Sequence, residues 1–299
     1  MKSFLIAIIF ANLLASVVEA QSFYAARRKE KNIILVAGTG TSTYFGELAN
    51  DGDYLDAKPN LNAGLQYFFN NRISARAEIT WFALKGSDAE AGDPTRVPRN
   101  LSFTSNNYEI SATGAVNLLS NGNRHYRRPN YNMYAFAGIG LMYYNPKTEY
   151  QGEKVALRPL QTELVKYSSF GVVIPYGLGF RFKVSPAFNI SIEGGYRKTF
   201  TDYLDDVSTT HKDLSKFTDP LAAALSDRRP EIGQDRMPDG TKRGSPDTKD
   251  GYMLLNAKVE YYLDWDFSGG SGFNPSFYKK KKSSSYRYNK KGGLKKRRN

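Results

Sequence analysis

Beyond residue 18 this sequence contains no stretch that approaches eighteen consecutive apolar residues, which leaves no candidate for a membrane-spanning helix in the body of the chain. What recurs instead is period-two alternation. Ile73, Ala75, Ala77, Ile79 and Trp81 share one face of a segment whose other face is Arg72, Ser74, Arg76, Glu78 and Thr80. Phe188, Ile190, Ile192, Gly194 and Tyr196 oppose Asn189, Ser191, Glu193, Gly195 and Arg197 in the same way. Met253, Leu255, Ala257, Val259 and Tyr261 oppose Asn256, Lys258 and Glu260. Side chains of a strand point alternately to its two faces, so each segment reads as a strand with one apolar and one polar side.

Eight segments have this alternation or an aromatic- and Gly-rich strand composition: 33–45, 59–69, 72–83, 106–118, 131–143, 171–183, 187–198 and 252–263. Strands of about 9–11 residues cross a bilayer, so these lengths suit a membrane barrel. A soluble sandwich has the same alternation with its apolar face turned inward. A small barrel turns it outward, toward lipid, around a polar packed interior. Alternation alone does not separate the two. The negative mean hydropathy is compatible with the barrel, because only alternate residues of each strand would meet lipid.

Three other features favour the barrel. The first twenty residues read as a secretory signal, with Lys2 before an apolar run from Phe4 to Val18 and a small-residue cleavage site at Val18-Glu19-Ala20. That run is short for an uncleaved anchor, and with no cysteine in the chain a lipoprotein anchor is excluded, as are disulfides and thiolate metal sites. The strand ends are rich in Tyr, of which the chain has 21, beside 18 Phe and 26 Gly. Finally, the connections alternate in length. Those at 46–58, 84–105, 144–170 and 199–251 are long, Asn70-Asn71 and 184–186 are short, and 119–130 is intermediate. Bacterial barrels carry short turns on the periplasmic side and long loops outside, and an even strand count then leaves both termini in the periplasm. The expectation is an all-β fold: an eight-stranded antiparallel transmembrane β-barrel of the cell outer membrane over residues 21–267. A signal peptide at 1–20 precedes it, and a disordered basic tail at 268–299 follows. Within 199–251, residues 220–226 read as a short helix, followed by a Pro/Gly/Asp-rich flexible stretch.

The net charge of +13 is concentrated in the tail, where residues 264–299 hold eleven Lys and Arg against two Asp. Trp265 and Phe267 read as interfacial belt residues before a Gly/Ser linker at 269–272. Lys279, Lys280, Lys281 and Lys282, then Tyr286, Arg287 and Tyr288, then Lys295, Lys296, Arg297 and Arg298 form the candidate partner-binding set. Such a tail usually suggests nucleic acid, but export argues against that partner, and an acidic periplasmic surface is the alternative to a merely solvated tail.

Candidate chemistry is sparse. The two histidines, His125 and His211, fall on opposite sides of the expected barrel, and His211 has Asp205, Asp206 and Ser208 nearby in sequence. A loop histidine is more often solvated than catalytic, so no catalytic residue is expected. Asp202, Asp205 and Asp206 offer oxygens to calcium, but their spacing matches no EF-hand loop. Solvated carboxylates, or partners for Arg197 and Lys198, are the expected reading, with no metal and no cofactor. Gly38-Thr39-Gly40 lacks the Lys-Ser/Thr of a phosphate loop and reads as close packing within a strand. The charges Arg76, Glu78, Glu193, Arg197, Lys258 and Glu260 fall on the inward face. With eight strands the interior is just wide enough to be filled by side chains, so an ion-paired core is expected rather than a pore.

Several stretches go beyond generic barrel composition. They are Tyr144-Asn145-Pro146-Lys147-Thr148 running into Leu157-Arg158-Pro159-Leu160-Gln161-Thr162-Glu163, and Glu193-Gly194-Gly195-Tyr196-Arg197-Lys198-Thr199-Phe200-Thr201-Asp202-Tyr203-Leu204-Asp205-Asp206-Val207-Ser208. Together with Tyr44-Phe45-Gly46-Glu47-Leu48 and Arg76-Ala77-Glu78-Ile79, they resemble the PorG-like outer-membrane proteins of Bacteroidetes, components of the type IX (Por) secretion system. The resemblance spans roughly residues 33–263 and excludes the tail. It implies a small non-enzymatic barrel among outer-membrane lipids, associated with periplasmic ring proteins that include a lipoprotein. Such a protein would serve secretion and, in gliding species, motility. No small-molecule substrate is expected. The alternative is a surface ligand-binding or adhesion barrel acting through loops 144–170 and 199–251.

Overall fold

The computed structural model describes residues 32–50, 57–121 and 127–263. Residues 1–20, His125, Trp265, Phe267 and the tail at 268–299, with its candidate partner-binding residues, lie outside the described residues.

Among the described residues ten strands form: β1 (Ile33–Phe45), β2 (Lys58–Phe68), β3 (Ile73–Ser87), β4 (Ser102–Asn117), β5 (Tyr131–Tyr143), the short β6 (Lys147–Tyr150) and β7 (Glu153–Ala156), β8 (Phe170–Lys183), β9 (Phe188–Thr199) and β10 (Gly251–Tyr262). The long ones pair antiparallel in the order β3-β2-β1-β10-β9-β8-β5-β4, and β3 pairs with β4 to complete the ring. The fold is therefore a closed eight-stranded antiparallel barrel. Closure joins the first strand to the last, with Ile34 opposite Tyr262 and Phe45 opposite Gly251. No sheet edge is left in the barrel wall, which a lipid-facing backbone requires.

Burial alternates along the strands, except at the loop ends of β1, β3 and β10 where consecutive residues are buried, and is inverted relative to a soluble protein. In β4, Phe103, Ser105, Asn107, Glu109, Ser111 and Thr113 are buried, while Ile110 is 63 % exposed. Leu61, Ile79, Ile139, Leu178 and Ile192 are exposed on the same outer surface. Aromatic pairs lie at both ends of this apolar band. At the end with short turns, Tyr67 packs on Phe69 and Phe188 on Tyr261; at the other, Tyr143 packs on Phe170 and Tyr176 on Tyr196. An apolar band between aromatic girdles is the surface of a membrane barrel. No helix among the described residues is long and apolar enough to cross a membrane.

Two features differ from the sequence reading. β3 and β4 run further than expected, paired as far as Ser87 opposite Ser102, so the connection between them shrinks to 88–101. Lys85 and Gly86 interrupt the alternation and hide this extension. The connection from β5 to β8, read as a plain loop, contains the β6–β7 hairpin. Its turn, Gln151-Gly152, has φ of +52° and +84°, the left-handed pair that a two-residue hairpin loop needs.

The short turns are closed by side chains. Asn70 Oδ1 accepts from the Arg72 and Ile73 amides, and Ser185 Oγ from those of Ala187 and Phe188. At the opposite end the long connections fold over the barrel mouth. There Tyr44, Leu48, Phe82, Phe103, Tyr144, Leu204, Val207 and Leu225 belong to one apolar cluster. Helix α1 (Pro220–Ser226) supplies Leu225, with Asp219 capping its start through the Leu221 amide.

Candidate functional site

The barrel interior is filled with paired charges. Within the strands the buried ions are Arg76, Arg181, Arg197 and Lys258 against Glu78, Glu109, Glu193 and Glu260, four of each sign. Arg76 grips Glu193 through both terminal nitrogens, at 2.8 and 2.6 Å. Lys258 Nζ lies 2.7 Å from Glu78 and 3.2 Å from Glu193, and the Tyr134 hydroxyl donates to Glu193 at 2.9 Å. Toward the short turns Arg181 pairs with Glu260 at 2.6 Å and stacks over Tyr134. Toward the long loops Arg197 lies 3.6 Å from Glu109, which accepts the Tyr252 hydroxyl at 2.7 Å. Gly38 provides room for this arrangement: a Cβ there would stand 2.6 Å from Lys258 Cγ. Glu109, Arg181, Tyr134 and Tyr252 are not among the charges singled out from the sequence. Their contacts Glu109–Arg197, Arg181–Glu260, Tyr134–Glu193 and Tyr252–Glu109 each join strands that are not neighbours in the wall, and a sequence carries no register across a lumen.

The loop-end cap contains the remaining polar chemistry, and it departs from the sequence reading. Asp202, Asp205 and Asp206 are buried, not solvated, and none pairs with Arg197 or Lys198. The Tyr44 hydroxyl lies within hydrogen-bond distance of both Asp205 and Asp250, at 2.8 and 2.6 Å, with one proton to share between them. Asp206 accepts from Thr162 and Tyr167. Burial raises the carboxyls of Asp202, Asp205 and Asp250, and brings Asp206 up to about 6. Glu163 behaves oppositely: although burial opposes ionisation, Arg243 at 2.7 Å and the Ser208 and Thr209 donors hold its carboxyl below the usual value.

His211 is buried too, contrary to the solvated histidine expected. Its Nδ1 faces Asp227 at 3.9 Å, while Asp205, Asp206 and Ser208 are engaged elsewhere; Ser208 Oγ donates to Asp202. Burial and Arg243 lower its pKa. The stretch 227–250, read as flexible, is exposed over most of its length but pinned to the cap at Asp227, Arg243 and Asp250: Arg243 is buried against Glu163, the Asp206 carbonyl and the Ser226 carbonyl. On the flank of the cap a cleft of about 530 Å³ is lined by Tyr144, Tyr167, Phe170, Phe200, Tyr203, Asp202 and Lys249, among others.

Three of the distinctive sequence stretches meet here. Residues 44–48 supply Tyr44 and Leu48, residues 157–163 supply Thr162 and Glu163, and residues 193–208 supply Asp205, Asp206 and Ser208. Each touches at least one of the others.

A closed barrel with an apolar belt, two aromatic girdles, an ion-paired lumen and a folded loop cap is an outer-membrane barrel. The chain belongs to the family described as a domain of unknown function (DUF6089), whose model matches residues 8–219. No curated protein matches the chain. Similar solved structures are outer-membrane or surface proteins. Neisserial surface protein A has a TM-score of 0.41 and 10 % identity over 77 % of this chain and 97 % of its own. A major outer membrane protein of Thermus thermophilus has a TM-score of 0.38 and 9 % identity, covering 77 % and 98 %. The Yersinia pestis attachment invasion locus protein Ail, in complex with a heparin analogue, has a TM-score of 0.36 and 13 % identity, covering 78 % and 100 %.

Proposed function

We propose that the protein is a non-enzymatic outer-membrane component of the type IX secretion machinery, similar to the PorG-like proteins. In this reading the barrel anchors a periplasmic lipoprotein-containing ring, with the long loops outside and both termini in the periplasm. The observation that carries it is the convergence of the three resembling stretches on one cap, where they form a single folded unit. A filled, closed barrel suits an anchor better than a conduit. The basic residues 279–282 and 295–298 are the proposed contact with acidic periplasmic surfaces, whose strength would fall as salt screens exposed charges over about 8 Å.

Deletion of residues 274–299 tests this reading. The truncated barrel should insert normally, while recovery of periplasmic ring lipoproteins and secretion should drop. Full secretion and full recovery would overturn the tail's role. For orientation, a cysteine at the exposed Gln234 should react with an impermeant reagent on intact cells, and one at Ser284 should not; Ser226 is buried and unsuited to such labelling.

A second reading, surface ligand binding or adhesion, is favoured by the aromatic cleft of about 530 Å³ on the loop end. Capture of an external receptor by whole cells, lost on Tyr203→Ala, would support it over the first.

A further inference from the structure

Four carboxylates gather at the centre of the cap. Glu47 comes from the β1–β2 connection, Asp202 and Asp205 from the start of the β9–β10 connection, and Asp250 from its final residue. One oxygen from each of Glu47, Asp202 and Asp250 lies within 4.8 Å of the others. Calcium holds oxygen ligands at about 2.3–2.6 Å, so ligands on one coordination sphere are separated by no more than about 5 Å. The three oxygens fit on a single sphere.

A second observation is independent of that spacing. Asp202 is only 3 % exposed, and its Oδ1 is buried without a hydrogen-bond partner; Glu47 Oε2 is likewise buried and unpartnered. The other oxygen of each group is supplied: Ser208 Oγ donates to Asp202 Oδ2 at 2.7 Å, and the Ser245 amide to Glu47 Oε1 at 3.1 Å. A buried carboxylate oxygen left without a donor or cation is costly. No Lys or Arg hydrogen-bonds these two free oxygens: Arg243 pairs with Glu163, Arg99 with Asp88, and Lys249 Nζ donates to the Pro246 carbonyl at 2.7 Å and acts on Asp202 only through its charge. Burial and the neighbouring Asp202 push the Glu47 carboxyl up to about 7, against the opposing pull of the Ser245 amide and the Arg99 guanidinium.

We infer that Glu47, Asp202 and Asp250 form a divalent-cation site, suited to calcium, with water completing the shell. The donor set is all oxygen and comes from loops, which suits calcium's variable geometry better than the strict octahedron of magnesium. The ion would tie both ends of the 200–250 connection to the β1–β2 connection. It would thereby lock the cap that closes the barrel mouth.

The test uses the full-length protein in detergent, stripped with chelator and titrated with terbium. The Tyr44 hydroxyl, 2.6 Å from Asp250 Oδ1, places a sensitising ring beside the site. Saturable tyrosine-sensitised emission is expected, displaced by calcium at concentrations where magnesium is ineffective. Asp202→Asn and Glu47→Gln should each weaken calcium displacement tenfold or more, and the exposed Glu90→Gln should not. Calcium should also slow proteolysis within 200–250 in the parent protein but not in Asp202→Asn. Heat-modifiable gel mobility verifies that each variant is a folded barrel, and Glu47→Gln alone decides the matter if Asp202→Asn does not fold. Two outcomes overturn the site: no calcium-displaceable emission at millimolar calcium, or emission unchanged in both variants.

Discussion

The lumen and the loop cap are both buried and both rich in charge, yet they are built on opposite rules. On the lumen-facing strands, four cations meet four carboxylates inside a wall whose outer face is apolar. In the cap, an ordinary apolar cluster of Tyr44, Leu48, Phe103 and Leu204 faces inward, and carboxylates outnumber the cations that reach them. Closure accounts for the first: a barrel wall fixes every inward side chain, so each charge can be met across a lumen of fixed width. The cap is assembled from four connections, and its charge balance depends on contacts between residues far apart in the chain, such as Tyr44 with Asp250.

Removing one lumen charge should produce the largest effect. Glu193→Gln takes one of two carboxylates from Arg76 and one of two from Lys258, leaving Glu78 alone against both cations, and a buried pair broken on one side costs about 3–5 kcal/mol. Urea unfolding of the detergent-solubilised barrel, followed by heat-modifiable mobility, should show it. The double variant Arg76→Met with Glu193→Met should cost less than Glu193→Gln, because Lys258 and Glu78 still neutralise each other. A double variant as damaged as the single one would mean that the lumen pairs are not self-contained. The same packed layer predicts no steady conductance in planar bilayers, and ohmic channels of porin size would break the comparison outright.

A cap variant should act locally. Glu163→Gln weakens the bond to Arg243 and the acceptor for Ser208 and Thr209, at a cost of about 1–3 kcal/mol. Limited proteolysis should then cut within 200–250, while urea unfolding of the barrel wall stays near its parent midpoint. A matching loss in the wall would show that cap and lumen unfold together.

The two regions also differ in how far the sequence reveals them. All eight barrel strands are visible as alternation or as aromatic- and Gly-rich composition, the alternation being clearest in β3, β9 and β10, because one face meets lipid and the other the lumen. The short helix at Pro220–Ser226 is equally visible from its Asp-Pro start and Ala-rich body. The β6–β7 hairpin is announced only by Gln151-Gly152, between strands too short to alternate. The cap is least legible. A fifty-residue polar connection reads as solvent-exposed, so His211, Asp202, Asp205 and Asp206 are expected in water. Their burial depends on Arg243, Thr162 and Tyr167 arriving from elsewhere in the chain. Likewise, Glu47 belongs to a stretch distinctive only for its resemblance, and nothing in its spacing pairs it with Asp202.

The smallest expected effect is a pH dependence confined to the cap of the metal-free protein. Glu47 titrates at about 7 and Asp206 at about 6 in the folded cap, both above their usual values, and Asp202, Asp205 and Asp250 are shifted the same way. Between the ordinary carboxylate range and these raised values the folded cap binds protons that the unfolded loops do not. Stability therefore falls as pH rises through that window. Glu163 has the opposite sign: its lowered value adds stability above the ordinary range, and that contribution is lost only as pH falls through its folded value. In chelator, proteolysis within 200–250, normalised to an unstructured peptide at each pH, should be slowest at the acidic end of that window, near about pH 4, and rise progressively up to about pH 8. Glu47→Gln carries no titrating carboxyl at that position, so it should flatten the part of the rise around pH 7. A rise that persists unchanged in this variant would locate the dependence outside the acidic cluster.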